Sequence, residues 1–349
     1  MRITEACLVA AALSLDPWRA SAQPDRPSTA GGIRIDGRAQ GTTYRIRAAG
    51  PPRGALAPSP AEIERRVAAE LDRVDRLVSA WRDDSEIERF GASPAGVGFA
   101  LSPETAELLA RSREIWRLTE GAFDPTIGAL TRLWGFAGAP RRTDLPAASD
   151  IAKALGDAGF DHLALDGRTI SRDRSGLRID LNGIAQGYTV DRVFGLLRAA
   201  GYTRTLVEIG GEVRVGDAPA EARAWGVGID LPDLGTAGTA RATLSLTHAA
   251  VSTSGTHRNG FEVGGVRYSH ILDPRDGWPI RNGMLLATVV APDATLADAL
   301  STALLVLGPE RALALVENLP GVDCLLLARQ DGAVREFRSR GLSRWIEPR

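Results

Sequence analysis

An aspartate and a threonine four residues apart, Asp298 and Thr302, interrupt the apolar run Ala-Asp-Ala-Leu-Ser-Thr-Ala-Leu-Leu-Val-Leu-Gly. That spacing puts both side chains on one face of a helix. A carboxylate beside a hydroxyl, with little else polar nearby, is an oxygen-only pair of the kind a hard divalent cation such as Mg2+ accepts while keeping waters and substrate phosphates in its other positions. The chemistry it points to is a metal-assisted reaction at phosphorus. The plain alternative is a solvated Asp298 and a Thr302 hydroxyl bonded back into its own helix.

The elements that must hold this pair are legible as caps and periods. Ser59-Pro60-Ala61-Glu62 combines an N-cap, a proline at the first helical position and a capping-box glutamate, and Ile63, Val67, Leu71, Val74 and Val78 continue as a helical stripe. Ser102-Pro103 opens a second helix that ends at Gly121. From Phe160 the period shortens, and Asp166-Gly167 and Ser175-Gly176 read as hairpin turns between strands at 162–166, 168–172 and 177–181. Further strands are expected at 205–209, 213–215, 225–230, 243–252, 267–271, 285–290 and 322–328, and helices at 186–200, 294–307 and 310–317. Antiparallel hairpins outnumber strand-helix alternations, so the fold class is α+β, mainly antiparallel strands with packed helices.

Composition removes many other functions. The 349 residues are 44% hydrophobic, enough for a sizeable core, and 42 basic against 43 acidic side chains leave no footprint for nucleic acid or a membrane surface. Lys153, in an expected helix, is the sole lysine, so neither a Gly-Lys-Ser/Thr phosphate loop nor a buried Schiff-base lysine is available. With only Cys7 and Cys324 no disulfide framework or thiolate metal site forms, and Cys324 reads as inert packing in a strand. Arg2, the apolar run to Leu15 and Ala20-Ser21-Ala22 before Gln23 have the form of a signal peptide over 1–22. The expectation is one mature domain, 23–349, exported to the periplasm as a soluble protein or peripheral on the inner membrane, with no transmembrane span.

No G-x-S-x-G elbow, G-x-G-x-x-G fingerprint or H-E-x-x-H pair is present. What remains is an ordered set of glycine-flanked segments: Gln40-Gly41-Thr42-Thr43-Tyr44; Trp81 to Glu86; Gly121-Ala122-Phe123-Asp124-Pro125-Thr126 with Trp134-Gly135-Phe136; Asp180-Leu181-Asn182-Gly183-Ile184-Ala185-Gln186-Gly187-Tyr188; Gly210-Gly211-Glu212; Thr253-Ser254-Gly255; His270-Ile271-Leu272-Asp273-Pro274; and Asp298 to Thr302. In this order, over nearly the whole mature chain, they resemble the ApbE family of FAD:protein FMN transferases.

The resemblance implies an enzyme that takes FAD as substrate, passes FMN to a threonine hydroxyl of a target protein and releases AMP. The acceptor would carry a threonine flavinylation motif and belong to a membrane redox complex. By the same resemblance Asp298, Thr302 and the Gly183 carbonyl are Mg2+ ligands, and Gln40, Trp81, Ala122, Phe123, Asp124, Asp180, Gln186 and Leu272 contact FAD. Trp81 suits stacking on an aromatic ring, while Asp124 and Asp180 suit hydrogen bonds from ribose or amine groups or, equally, a turn and the polar face of a strand.

His270 is the expected general base, with Asp273 close enough in sequence to orient it; the alternative is a structural, hydrogen-bonded histidine. His162, His248 and His257 match no catalytic position. Two positions depart from the family pattern, since Gln186 stands where lysine is frequent and Gln40 where methionine is. Two rival functions use the same bound FAD: a pyrophosphatase giving FMN and AMP, and a non-catalytic periplasmic FAD-binding protein.

Overall fold

The computed structural model describes residues 32–50, 58–140, 142–220, 222–229, 242–257 and 259–346; the segment expected to be a signal peptide, residues 23–31 and most of the 48–60 loop lie outside them. The chain begins with the hairpin β1 (Ile33–Ala39) and β2 (Thr42–Ala48), followed by α1 (Pro60–Val78), α2 (Glu86–Ala92), β3 (Phe99–Ala100), α3 (Pro103–Leu118), α4 (Gly128–Leu133) and α5 (Ala148–Gly156). Next come β4 (Leu163–Asp166), β5 (Thr169–Arg172), α6 (Ala185–Ala199), β6 (Thr205–Ile209), β7 (Glu212–Val215), β8 (Trp225–Ile229), β9 (Ala242–Leu246) and β10 (Ala249–Gly255). The hairpin β11 (Gly260–Val263) and β12 (Val266–Ser269) precedes β13 (Met284–Ala291), α7 (Ala294–Leu307), α8 (Pro309–Val316), β14 (Asp323–Gln330) and β15 (Ala333–Arg338).

The helix starts follow their cap chemistry. Ser59 and Ser102 side chains accept the backbone N–H groups of Glu62 and Thr105, each ahead of a first-turn proline, and the expected stripe from Ile63 to Val78 is the buried face of α1. The Glu62 carboxylate pairs outward with Arg65 and Arg66. Helix α7 is buried on nearly every side, which is why its sequence is apolar throughout.

Eight strands form one antiparallel sheet in the order β1-β2-β6-β7-β10-β13-β14-β15. Strand alternation sends Val207 and Ile209 into a core shared with α1 and α6 on one face. On the other face Val213, Val215 and Val251 pack against the β8–β9 hairpin through Val227, Leu244 and Leu246. Both sheet faces are therefore covered, and α6 and α7 lie over the helical one. A separate aromatic cluster of Trp134, Phe136, Phe261, Tyr268 and Trp278 joins the β11–β12 hairpin to α4 and α5, with the Trp134 indole donating to the Gly277 carbonyl at 2.8 Å.

Two sequence expectations are corrected. The strand expected over 243–252 is two strands, because the chain turns at His248, whose φ is 48°. The strand expected over 177–181 is an extended segment with a single parallel bridge, Ile127 to Arg178. Its partner enters α4 immediately afterwards, so the ladder has nothing further to pair with.

Helices α6 and α7 cap each other. The Asp298 carboxylate of α7 accepts the Gly187 N–H in the first turn of α6 at 2.9 Å. Asp191 of α6 accepts the N–H groups of Ala294 and Thr295, which open α7, each at 2.9 Å. Each helix thus satisfies orphan donors of the other with a carboxyl oxygen at its N-terminus. The approach depends on Gly187, where a Cβ would overlap the Ala294 carbonyl and the Asp298 side chain.

Two glycines of α6 therefore predict opposite outcomes in urea denaturation. Gly187→Ala should destabilise by at least about 2–3 kcal/mol because rigid backbone blocks the methyl group. Gly195→Ala, with nothing within 4 Å of the added atom, should leave stability unchanged or raise it by roughly 0.5–1 kcal/mol. Equal losses at both positions would contradict the close-approach account.

Candidate active site

The α6–α7 contact gathers the oxygen pair found in the sequence. Asp298 is 4% exposed, and Thr302, one turn along α7, is half-buried and faces Gly183. A Cβ built on Gly183 would lie 3.4 Å from the Thr302 Oγ1 and 3.5 Å from the Phe123 ring, so the main chain there runs alongside the hydroxyl at ordinary contact distance. The Asp298 carboxyl is pushed well above the usual carboxylate range, by burial first and then by the charge of Glu212, against the opposing pull of the Gly187 N–H. Glu212 is 5% exposed and accepts from Ser252 Oγ at 3.3 Å.

Among the described residues no three or more His, Cys, Asp or Glu side chains group as a metal site. Thr302 Oγ1, one turn from Asp298 and against the main chain at Gly183, makes with it an oxygen-only pair that fits a hard cation completing its shell with water and phosphate oxygens. The back-bonding expected of a helix hydroxyl is made by the neighbouring residue, since Ser301 Oγ donates to the Asp298 carbonyl at 2.9 Å.

Two loop carboxylates flank this corner. Asp124 Oδ1 accepts from the Thr126 N–H at 2.8 Å and its hydroxyl at 2.6 Å, the turn role anticipated before Pro125. Burial pushes its pKa up to about 6 despite those bonds and one from Trp116. Asp180 is tied to the same loop by its N–H, which donates to the Pro125 carbonyl at 2.7 Å, while its Oδ1 accepts the Asn182 N–H at 2.9 Å. Its carboxyl is also raised by burial, opposed by the Asn182 N–H, the Thr131 hydroxyl and the Arg132 charge. Ala122 and Phe123 are buried, and their N–H groups are held by the Thr119 carbonyl and hydroxyl.

The remaining expected contacts sit around this centre. Gln40 lies in the β1–β2 turn at φ 51° and donates to Thr189 Oγ1 of α6 at 3.2 Å. Gln186 packs against Gly210 in the Gly-Gly-Glu turn, whose Gly210 also lies against Thr42. Trp81 is 65% exposed, so it is no core residue, and it lines a cleft of about 290 Å³ with Gly135, Phe136, Ala139, Asn259, Gly260 and Phe261. Leu272 is buried in the aromatic cluster.

His270 stands edge-on to Phe136, ring centroids 6.3 Å apart, with Nδ1 3.1 Å from the Asn259 carbonyl. A main-chain oxygen orients the imidazole, and the tautomer that donates from Nδ1 presents Nε2 as the basic nitrogen. Asp273, expected to orient it, is held by Arg275 through contacts of 2.7 and 2.6 Å.

The corner near Asp298, the Asp124–Asp180 loops and Phe123 are thus in one place, and Trp81 and Phe136 line a second cleft with Asn259, whose carbonyl holds His270. Sequence reading assigned no role to Gly187, Ser254 or Ser301, and none to Glu212 beyond its turn motif. The alternation that points Ser252 and Ser254 to the same strand face was the available signal.

The ApbE family model matches residues 40–326. The FAD:protein FMN transferase of Vibrio cholerae serotype O1 is 34% identical over 307 residues, covering 88% of this chain and 90% of that protein. That of Escherichia coli K12 is 30% identical over 340 residues, covering 96% and 95%. The solved flavin transferase ApbE from Vibrio cholerae superposes with a TM-score of 0.83 at 31% identity, covering 91% of this chain and all of that one.

The elevated Asp124 pKa makes a pH prediction. A carboxyl raised to about 6 in the folded state, from 3.8, stabilises fully below pH 3.8 and loses that contribution as pH rises through 6. Asp124→Asn keeps the acceptor for Thr126 and does not titrate. Wild type should therefore lose stability relative to Asp124→Asn by on the order of 1–3 kcal/mol between about pH 4 and pH 7. Denaturant titrations across that range check it, and a constant difference would contradict it.

Proposed function

The chain belongs to the ApbE family, and from that membership we propose that it is a Mg2+-dependent FAD:protein FMN transferase, moving FMN from FAD to a threonine hydroxyl of a target protein with release of AMP. The observation that carries the proposal is the oxygen corner at the α6–α7 contact, where Thr302 Oγ1 lies beside Gly183 and one helical turn from the buried Asp298 carboxylate. Asp298, Thr302 and the Gly183 carbonyl would hold the cation. Mg2+ bound there would supply Lewis-acid stabilisation of charge developing on the pyrophosphate oxygens.

The protein's own contribution is positioning and proton handling. The acceptor oxygen bonds to the FMN phosphorus as the P–O bond to the AMP phosphate breaks. The hydroxyl proton passes to Nε2 of His270, which the Asn259 carbonyl holds by the opposite nitrogen. Trp81 and Phe136, in the cleft beside His270, offer aromatic surface for a flat ring. Asp124 and Asp180, on loops tied together through the Pro125 carbonyl, would contact FAD as the family resemblance implies. A pyrophosphatase would use the same corner with water as nucleophile.

Incubation with FAD, Mg2+ and a peptide bearing an acceptor threonine separates these outcomes. A peptide heavier by one FMN group, with AMP in equal amount, is expected. FMN and AMP with an unmodified peptide would overturn the transferase in favour of hydrolysis. Asp298→Asn, which retains an oxygen to accept the Gly187 N–H, should lower transfer on the order of 10²-fold or more while the protein stays folded. Thr302→Val should lose less, because water can replace a hydroxyl ligand. Full transfer by Asp298→Asn in metal-buffered solution would sink the cation assignment.

Gln186 gives a second test. If its neutral amide stands where a charge would meet the cofactor, Gln186→Lys should tighten FAD binding by roughly 1 kcal/mol, and the gain should shrink with salt. Packing against Gly210 sets the opposing possibility, in which the longer side chain displaces the turn and weakens binding. FAD titrations at two salt concentrations distinguish them.

A further inference from the structure

A hydroxyl serves as a metal ligand only when a lone pair, and not its proton, faces the ion. Thr302 Oγ1 stands at the end of a hydroxyl chain that settles this direction. Ser301 Oγ donates to the Asp298 carbonyl at 2.9 Å, and a carbonyl can only accept, so the single Ser301 proton is committed there. In the 2.7 Å contact between Ser254 Oγ and Ser301 Oγ, Ser254 must then be the donor. With the Ser254 proton used, the 3.4 Å contact between Ser254 Oγ and Thr302 Oγ1 has Thr302 as donor. On the far side Ser252 gives its proton to Glu212, and its 3.3 Å approach to Ser301 adds no competing donor.

We propose that Ser254 and Ser301 are positioning residues: their chain of hydrogen bonds draws the Thr302 proton toward β10 and turns the Thr302 lone pairs toward the corner at Gly183. This rests on the reading of Asp298 and Thr302 as cation ligands. The contact from Thr302 to Ser254 is longer than the usual O–H···O range of roughly 2.5–3.0 Å. A cation held by the lone pairs would make the Thr302 hydroxyl a stronger donor to Ser254. The arrangement comes from the fold, since alternation along β10 points Ser252 and Ser254 at α7 and Thr253 at Thr288 on β13, 2.9 Å away. Ser301 is fully buried and cannot turn to water for a different partner.

The test uses Mn2+ as a paramagnetic probe, titrated into the FAD-loaded full chain and followed by the EPR signal of the free ion. Ser254→Ala should weaken Mn2+ binding on the order of tenfold, the scale of removing an outer partner of a metal ligand. Ser254→Thr, which restores a hydroxyl, should recover most of it. In a Thr302→Val background, Ser254→Ala should cause no further loss, since the serine acts only through Thr302.

An equal loss in both backgrounds, or no loss beside an intact Thr302, overturns the positioning role. Failure of the underlying cation reading has a different signature: Asp298→Asn and Thr302→Val would leave Mn2+ affinity unchanged. A response to Asp298→Asn without one to Ser254→Ala overturns the positioning role alone.

Discussion

The contact at Gly187 is the constraint on which the rest of the molecule depends. Without a side chain there, α6 and α7 come close enough for Asp298 of one and Asp191 of the other to reach each other's opening turns. The same side chain that we propose as a cation ligand is therefore a helix cap. Its two roles are compatible because a carboxylate has several lone pairs, one of which goes to the Gly187 N–H. This also explains a charge so deep in an apolar helix. It closes an orphan donor, and the cost of its burial appears as a carboxyl that binds its proton unusually tightly.

From that contact the site spreads through segments far apart in sequence. Gly183 lies just ahead of α6, Ser254 near the end of β10, Thr302 one turn along α7 beyond Asp298, and Asp124 and Asp180 on loops joined by a main-chain hydrogen bond. None of these segments forms a site alone. The covered sheet holds β10 rigidly between β7 and β13, so the hydroxyls of β10 meet α7 in fixed register. His270 is set separately, by the aromatic cluster beneath the β11–β12 hairpin.

Local chemistry was legible wherever it decided the outcome. The serine caps with following prolines placed the starts of α1 and α3, and the apolar run of α7 gave its limits directly. Reading failed where partners decide. The 177–181 segment has a strand's pattern but pairs only with a loop about to become α4. The 243–252 run shows no glycine or proline at its break, because His248 takes the left-handed conformation that such residues usually mark. In the site, the Asp298–Thr302 pair announced itself by polarity out of place. The reciprocal caps, the Asn259 carbonyl behind His270 and the serine chain are long-range contacts between ordinary residues, and no spacing in the sequence encodes them.

The order of the main sheet carries a further consequence for how the protein can be joined to others. Its outermost strands are β1 and β15, the first and last strands among the described residues, and six strands separate them. Seven inter-strand steps put these edges about 34 Å apart before twist is counted. Behind β15 the chain folds back over residues 340–346, and Ile346 bridges to Leu244 of β9, so a segment joined ahead of β1 would leave from one margin and one joined behind Ile346 from the face that the β8–β9 hairpin covers.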